Sequence, residues 1–390
     1  MSRPAVEVAD ILRAHEARFL DKNRSWLSFQ QLTVLRAIAR CRTAALGGHL
    51  DSCSQCGHQA ISYNSCRNRH CPKCQTQARQ RWLAAREQEV LGVPYFHVVF
   101  TLPHELNPLC QRNQTVLYNL LFRSSAAAML EVAADPKHLG VEIGFLSILH
   151  TWGQNLLLHP HVHCVVPAGG LAADHQRWIH PKYAFFLPVK VLARVCRRKF
   201  IRGLRRAFRL KKLHFSGTAA ALAAPKQFSA FVQRLRRQDW VVYAKAAFGG
   251  PAAVLRYLGR YTHRVAISNH RLVAHEEDQV TFRWKDYARG NKHRLMTLSA
   301  EEFLRRFVQH ILPRGFVRIR QFGFLANGCR TKLIPLSRQL LAFTPDVRAP
   351  SNELPTKAVW KCPHCGAPMH IQEKFSALQL KGRCKFIDTS

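Results

Sequence analysis

Apolar residues recur along this chain with two periods, three-to-four and two, and the switches between them mark out its elements. The first 48 residues carry the helical period. "ILRAHEARFL" (11–20) and "FQQLTVLRAIARC" (29–41) each place apolar side chains three and four apart. Residues 49–76 lose any period and are rich in Cys, His and Arg. A basic helix is predicted over "TQARQRWLAAREQEVLG" (76–92), then a buried strand over "YFHVVFTLP" (95–103) that ends at Pro103. A second helical stretch covers 107–133. "VEIGFLSILHTWG" (141–153) and "HPHVHCVVPAGG" (159–170) read as neighbouring strands joined through Gly153, Gln154 and Asn155.

The helical period returns in "KVLARVCRRKFIRGLRRAFRLKKLH" (190–214), where Val195, Ile201, Leu204 and Phe208 fall on one face. "WVVYAK" (240–245) predicts another strand. Pro251, after Gly250, starts a helix that carries "VLRYLGRYTHR" (254–264). "AISNHRLVAHEEDQVTFRWKDY" (266–287) predicts a hairpin. Ser299 and Glu302 form a capping box for the helix "AEEFLRRFVQHIL" (300–312). Pro345, Pro350 and Pro355 punctuate a linker before a short Cys-containing tail. A length of 390 residues suggests two or three domains.

Charge narrows the partners. Lys and Arg total 59 against 23 Asp and Glu, a net charge of +36. Charge of that size repels itself in a compact state, so a polyanion is the expected partner. Helix 190–214 concentrates it, with ten Lys or Arg between 194 and 212 and no interleaved acid. That favours phosphate contact over a merely solvated face. No charged-then-apolar leader opens the chain, and no apolar run approaches the roughly 18–20 residues of a membrane span. A soluble, intracellular protein is expected. In that setting, the 13 cysteines are better read as metal ligands or free thiols than as disulfides.

Their spacing supports metal. "CSQCGHQAISYNSCRNRHCPKC" holds Cys53-x2-Cys56 and Cys71-x2-Cys74, two pairs that can wrap one tetrahedral zinc ion. A redox motif would need a strand–helix context that this stretch lacks. Cys41, His49, Cys66 and His70 lie close enough in sequence to hold a second ion. Arg67, Arg69 and Lys73 sit inside the module and suit contact with DNA. Near the C-terminus, Cys362-x2-Cys365 is half of another zinc site, with Cys329, Cys384, His364 and His370 as candidate partners.

Two further patterns carry chemistry. On a strand, His161 and His163 share a face about 6.5–7 Å apart, which suits two imidazoles on one divalent ion. His159, before Pro160, falls outside the regular strand. Gln154 can supply a third ligand, with His150 and His159 as rivals. Mixed nitrogen and oxygen ligands with open positions suit Mn²⁺ or Mg²⁺ as a Lewis acid on phosphate, with Zn²⁺ as the alternative. The helix at 254–264 places Tyr257 and Tyr261 four apart on one face, among Arg256, Arg260, His263 and Arg264. A phenol can attack phosphorus and form a phosphotyrosine.

Taken together, "CRNRHCPKC", "YFHVVFTLP", "HPHVHCVVP" and "YLGRYTHRVAISN" resemble the rolling-circle, two-tyrosine HUH transposases of bacterial insertion sequences, the insertion sequence 91 family. HUH denotes His-hydrophobe-His, here His161, Val162 and His163. The motifs span roughly 30–370 and keep the family's order. The resemblance implies an α+β fold, with a ferredoxin-like antiparallel sheet flanked by helices, an N-terminal helical zinc-binding domain and a zinc-ribbon-like tail. It implies that His161 and His163, with Gln154, hold the catalytic ion and that Tyr257 and Tyr261 are the nucleophiles. It also implies that single-stranded transposon ends are cut and rejoined. Arg256, Arg260 and Arg264 would contact that DNA.

The domains expected are 1–88 (helical and zinc-binding), 89–298 (catalytic, with a basic helical insertion near 190–238), 299–345 (basic and DNA-binding) and 346–390 (linker and tail). Two other readings share parts of this pattern: a zinc-dependent DNA-binding protein without catalysis, and a rolling-circle replication initiator.

Overall fold

The computed structural model describes residues 4–181, 186–248, 253–254, 259, 266–286, 290–343 and 360–382. They form two compact units, each discontinuous in sequence. One comprises Met1–Ala78, Ile267–Ile311 and Asp346–Ser390, the other Arg79–Ala266 and Leu312–Pro345. The expected mixture of helices with antiparallel sheets is what forms.

In the first unit, the helical period of the N-terminus becomes α1 (Val8–Asn23) and α2 (Phe29–Ala39). Ser28 caps α2: its Oγ accepts from Gln31 N at 3.3 Å, while its own backbone N–H donates to Gln31 Oε1 at 2.8 Å. Ile11, Leu12, Val34, Leu35 and Ile38 are buried, which is where the three-and-four spacing pointed. Strand β1 (Gly48–Cys53) pairs with β2 (Gln59–Tyr63) on one side. On its other side it pairs with a strand from the far end of the chain, Met369–Phe375.

The hairpin expected at 266–287 gains a third strand. Leu272–Glu276, Gln279–Asp286 and Lys292–Ser299 form one antiparallel sheet. Ser299 caps the following helix, Ala300–Val308, its Oγ accepting from Glu302 N.

The second unit is built on five antiparallel strands. They are β3 (Tyr95–Thr101), β4 (Gly144–Trp152) and β5 (Leu158–Pro167), flanked by Val242–Phe248 beyond β3 and Ile319–Gly323 beyond β4. Alternation sorts the side chains. Phe96, Val98, Phe100, Phe145, Leu149, Val162, Cys164 and Val166 enter the main core. Two long helices, Gln114–Ala134 and Val189–Arg209, close that core with Leu121, Phe122, Leu192, Phe200 and Leu204. Tyr95, Leu146, Ile148 and Val165 face the other way, against Val254, Phe324 and Ile334.

The strand expected at 240–245 begins two residues later, because Trp240 is buried and packs edge-on against Phe200 at 5.2 Å. The basic helical insertion expected near 190–238 ends in a second helix, Pro225–Arg237. Its Phe228 stacks on Phe208 of the basic helix at 3.9 Å. No described helix is long and apolar enough to cross a membrane.

Gly323 ends the edge strand at a φ of 60°, and a Cβ there would lie 1.7 Å from the Ile143 carbonyl oxygen. A left-handed side chain costs about 1–2 kcal/mol before any clash. Gly323→Ala is therefore expected to lower the midpoint of chemical unfolding clearly. Gly328→Ala, where a Cβ meets nothing within 4 Å, should leave it almost unchanged.

Candidate functional site

The register between β4 and β5 sets His150 directly opposite His161 and Ile148 opposite His163. All three imidazoles emerge on the sheet face away from the two long helices. Their nitrogens lie within 4.8 Å of one another. Nε2 of His163 is 3.0 Å from Nε2 of His161 and 3.1 Å from Nδ1 of His150. His150, one of the two rivals to Gln154, joins the pair through cross-strand pairing. Gln154 lies on the connecting turn. His159 lies within β5 rather than outside it, because Pro160 is accommodated in the strand, and it is exposed.

The outer nitrogens fix the inner ones. Nδ1 of His161 lies 2.6 Å from the His159 carbonyl oxygen, which can only accept, so this Nδ1 carries a proton. Nδ1 of His163 lies 2.8 Å from Nε2 of His97, on β3. Desolvation pushes His161 down to about 3 and His97 down to about 4, the latter helped by the Lys245 ammonium opposite it. Burial, with the neighbouring imidazoles, holds His163 well below the usual histidine range.

A neutral His161 protonated at Nδ1 presents a lone pair at Nε2. With His163 donating from Nδ1 to His97, its Nε2 presents another. These two nitrogens, 3.0 Å apart, are placed so that one cation can take both as ligands. The residues therefore fit a divalent ion, with His97 as the outer partner that holds His163. His97 carries no motif, which is why sequence reasoning missed it; its one signal is a polar ring in an otherwise apolar strand.

The cysteines regroup. Cys53 and Cys56 do not join Cys71 and Cys74, because β1 and β2 carry the first pair away from the second. Cys71 and Cys74 are met by Cys41, at the end of α2, and by Cys66. Sulfur contacts in this set run at 3.6 Å. Cys53 and Cys56 instead meet the C-terminal pair, Cys53 lying 3.4 Å from Cys365 and Cys56 lying 3.5 Å from Cys362. The partners suggested for the C-terminal pair are placed elsewhere: Cys329 is exposed in the other unit, His370 lies in the strand beside β1, and His364 stacks on His58 at 4.1 Å. Cys384 lies outside the described residues. His49 and His70 join neither set. His49 lies 3.4 Å from the Asp51 carboxylate, and His70 hydrogen-bonds Asn68.

Candidate nucleic-acid contacts also sort themselves. Arg67 is exposed and Arg69 is half-buried. Lys73 is committed to an ion pair with the buried Glu7 carboxylate at 2.5 Å, so it is not free to face phosphate. Tyr257, Tyr261, Arg256, Arg260 and Arg264 lie outside the described residues.

The basic helix Val189–Arg209 and the helix Pro225–Arg237 enclose an open cleft of about 920 Å³. It is lined by Arg194, Arg202, Arg205, Arg209 and Arg236 above a floor of Phe208 and Phe228. Among the described residues, Arg197 and Arg198, which also line the cleft, pair with Asp239 at 4.0 Å and with Glu131, and Lys199 pairs with Glu131 as well.

Comparison with known proteins supplies the class. Residues 144–332, which hold the histidine cluster and the basic cleft, match a family model described as "putative transposase". Residues 11–102 match one described as "transposase zinc-binding domain". The chain is 49% identical over 377 residues to "putative transposase y4qJ" of Sinorhizobium fredii (strain NBRC 101917 / NGR234), covering 94% of each chain. It is 30% identical over 373 residues to the transposase for insertion sequence element IS801 of Pseudomonas savastanoi pv. phaseolicola, covering 90% of this chain and 85% of that one. No solved structure matches. Fold, clusters and matches define a transposase with a zinc-binding domain of its own. More narrowly, the chain belongs to the insertion sequence 91 family of transposases.

The regrouping has a direct test. Cys66→Ser should cost one zinc equivalent and lower the melting temperature, although Cys66 belongs to no C-x2-C pair. His49→Ala and His70→Ala should retain full zinc content by elemental analysis.

Proposed function

We propose that this transposase nicks and rejoins single-stranded DNA at insertion-sequence ends by the rolling-circle, HUH-type route. Its intermediates would be covalent 5′-phosphotyrosines on Tyr257 and Tyr261. The observation that carries the reading is the convergence of three imidazole nitrogens on β4 and β5, two with their outer nitrogens already engaged. A purely DNA-binding protein has no need of three imidazoles converging on one point with outer partners behind them.

His161, His163 and His150 would hold a divalent ion, which supplies Lewis-acid polarisation of the scissile phosphodiester when bound. Imidazole ligands favour Mn²⁺ over the oxygen-seeking Mg²⁺. The phenolic oxygen of one tyrosine attacks phosphorus and the P–O3′ bond breaks. The departing 3′ oxygen gains the proton that the phenol gives up. The 5′-phosphate remains on tyrosine as a diester, so the bond energy is kept for rejoining, which runs the same step backwards. Two nucleophiles let one site take a donor strand and a target strand in turn.

His161 has its proton side fixed by the His159 carbonyl oxygen, and His97 orients His163. The arginine cleft between the two helices would hold DNA backbone through phosphate contacts, with an affinity that falls as salt rises.

With labelled single-stranded element ends and Mn²⁺, the wild type should form a covalent adduct. Tyr257→Phe with Tyr261→Phe should abolish it, and His161→Ala should reduce its rate by about 100-fold or more. His97→Ala should raise the Mn²⁺ concentration needed by about 10–100-fold and recover adduct at saturating metal. Adduct that survives the double tyrosine and the His161 changes would refute the mechanism.

A further inference from the structure

The second cysteine cluster joins two stretches separated by about three hundred residues, and it does so with matched turns. "CSQCGH" (53–58) and "CPHCGA" (362–367) share the pattern C-x-x-C-G. In each, the glycine N–H donates back to the first cysteine carbonyl, at 3.1 Å for Gly57 to Cys53 and 2.8 Å for Gly366 to Cys362. The first cysteine N–H in turn donates to the carbonyl two residues past the second cysteine, at 2.9 Å for His58 and 2.7 Å for Ala367. Both glycines are left-handed, with φ of 69° and 74°.

Two such knuckles facing one another aim four sulfurs at one point. The 3.4 and 3.5 Å sulfur contacts between knuckles are too long for disulfide bonds. They sit near the edge of about 3.8 Å that four zinc–sulfur bonds of about 2.3 Å imply for a tetrahedron.

Packing alone gives the tail little hold. The strand Met369–Phe375 pairs with β1 along its length, yet every residue between its two ends is exposed. The apolar contact beneath the site consists of Cys53, Ala60, Cys362, Ala367 and Met369. So small a core does not ordinarily sustain a folded segment, and structural metals make up the difference in such modules.

We propose that Cys53, Cys56, Cys362 and Cys365 bind a second zinc ion, which pins the C-terminal tail onto the N-terminal sheet. The matched zinc-binding domain ends at residue 102 and contains only half of this site. On this assignment the N-terminal zinc module is complete only once residues 362–365 have been made. The proposal is independent of the strand-cleavage chemistry and stands or falls without it.

Cysteine accessibility in the full-length protein tests it. Cys56 and Cys365 are exposed, as is Cys329, so without an ion all three should alkylate readily. In native wild type, Cys53, Cys56, Cys362 and Cys365 are expected to resist alkylation while Cys329 reacts. In Cys56→Ser, Cys362 and Cys365 should become reactive while Cys41, Cys66, Cys71 and Cys74 stay protected. Cys362→Ser should likewise unmask Cys53 and Cys56. Elemental analysis should show one zinc fewer in each variant than in wild type. The proposal is overturned if Cys362 and Cys365 react as fast as Cys329 in wild type, or stay protected in Cys56→Ser. Iron in place of zinc, or unmasking of the Cys41 set in both variants, would also overturn it.

Discussion

The pairing register of β4 against β5 is the constraint on which the site depends. It places His150 across from His161, with His163 two residues along on the same face. A slip of β5 by one residue would turn Val162 and Cys164 to the outer face and drive the His161 and His163 imidazoles into a core of Phe, Leu and Val. That core is what forbids the slip. Phe145, Leu149, Val162, Cys164 and Val166 all need the side covered by the long helices, so burial on one face fixes metal-site geometry on the other. β3 contributes in the same way: Phe96, Val98 and Phe100 point inward, which leaves His97 outward beside His163.

Electrostatics shapes the remainder. A net charge of +36 works against compaction, and ion pairs such as Asp10–Arg13, Glu89–Arg330 and Glu302–Arg306 offset only part of it. Glu131 holds Arg198 and Lys199, and Glu7 is spent on Lys73. The arginines of the α-helical cleft are only partly relieved: Arg197 lies 4.0 Å from Asp239 and Arg198 pairs with Glu131, while Arg194, Arg202, Arg205, Arg209 and Arg236 have no ion pair among the described residues. In the zinc-binding unit, metal takes over part of the task that burial performs elsewhere. Four thiols at 3.6 Å contacts close the segment Cys66–Cys74 onto the end of α2, where no regular element does so.

Much of this was legible in the sequence, in proportion to how local each signal is. Helices with a three-and-four period and strands with alternating burial lie close to where the pattern put them, because one residue's neighbours decide both. His161 and His163 were visible for the same reason. What pairing across distance decides was not visible. Nothing in "FLSILHTW" marks His150 as a member of the cluster, and nothing in "YFHVVF" marks His97 as its support. Two C-x2-C pairs fourteen residues apart look like one site; only the intervening strands, and a strand from the far end of the chain, show that they serve two. Lys73 looked free because its partner Glu7 lies more than sixty residues away.

The central claim is that the three imidazoles on β4 and β5 share one divalent cation. The most direct measurement is pulsed electron paramagnetic resonance of Mn²⁺ bound to the full-length protein. The claim predicts hyperfine coupling from directly bonded imidazole nitrogens, reduced by one ligand in His150→Ala and lost with binding in the His161→Ala, His163→Ala double variant. Mn²⁺ that binds with equal affinity and shows the same nitrogen coupling in all three proteins would contradict it.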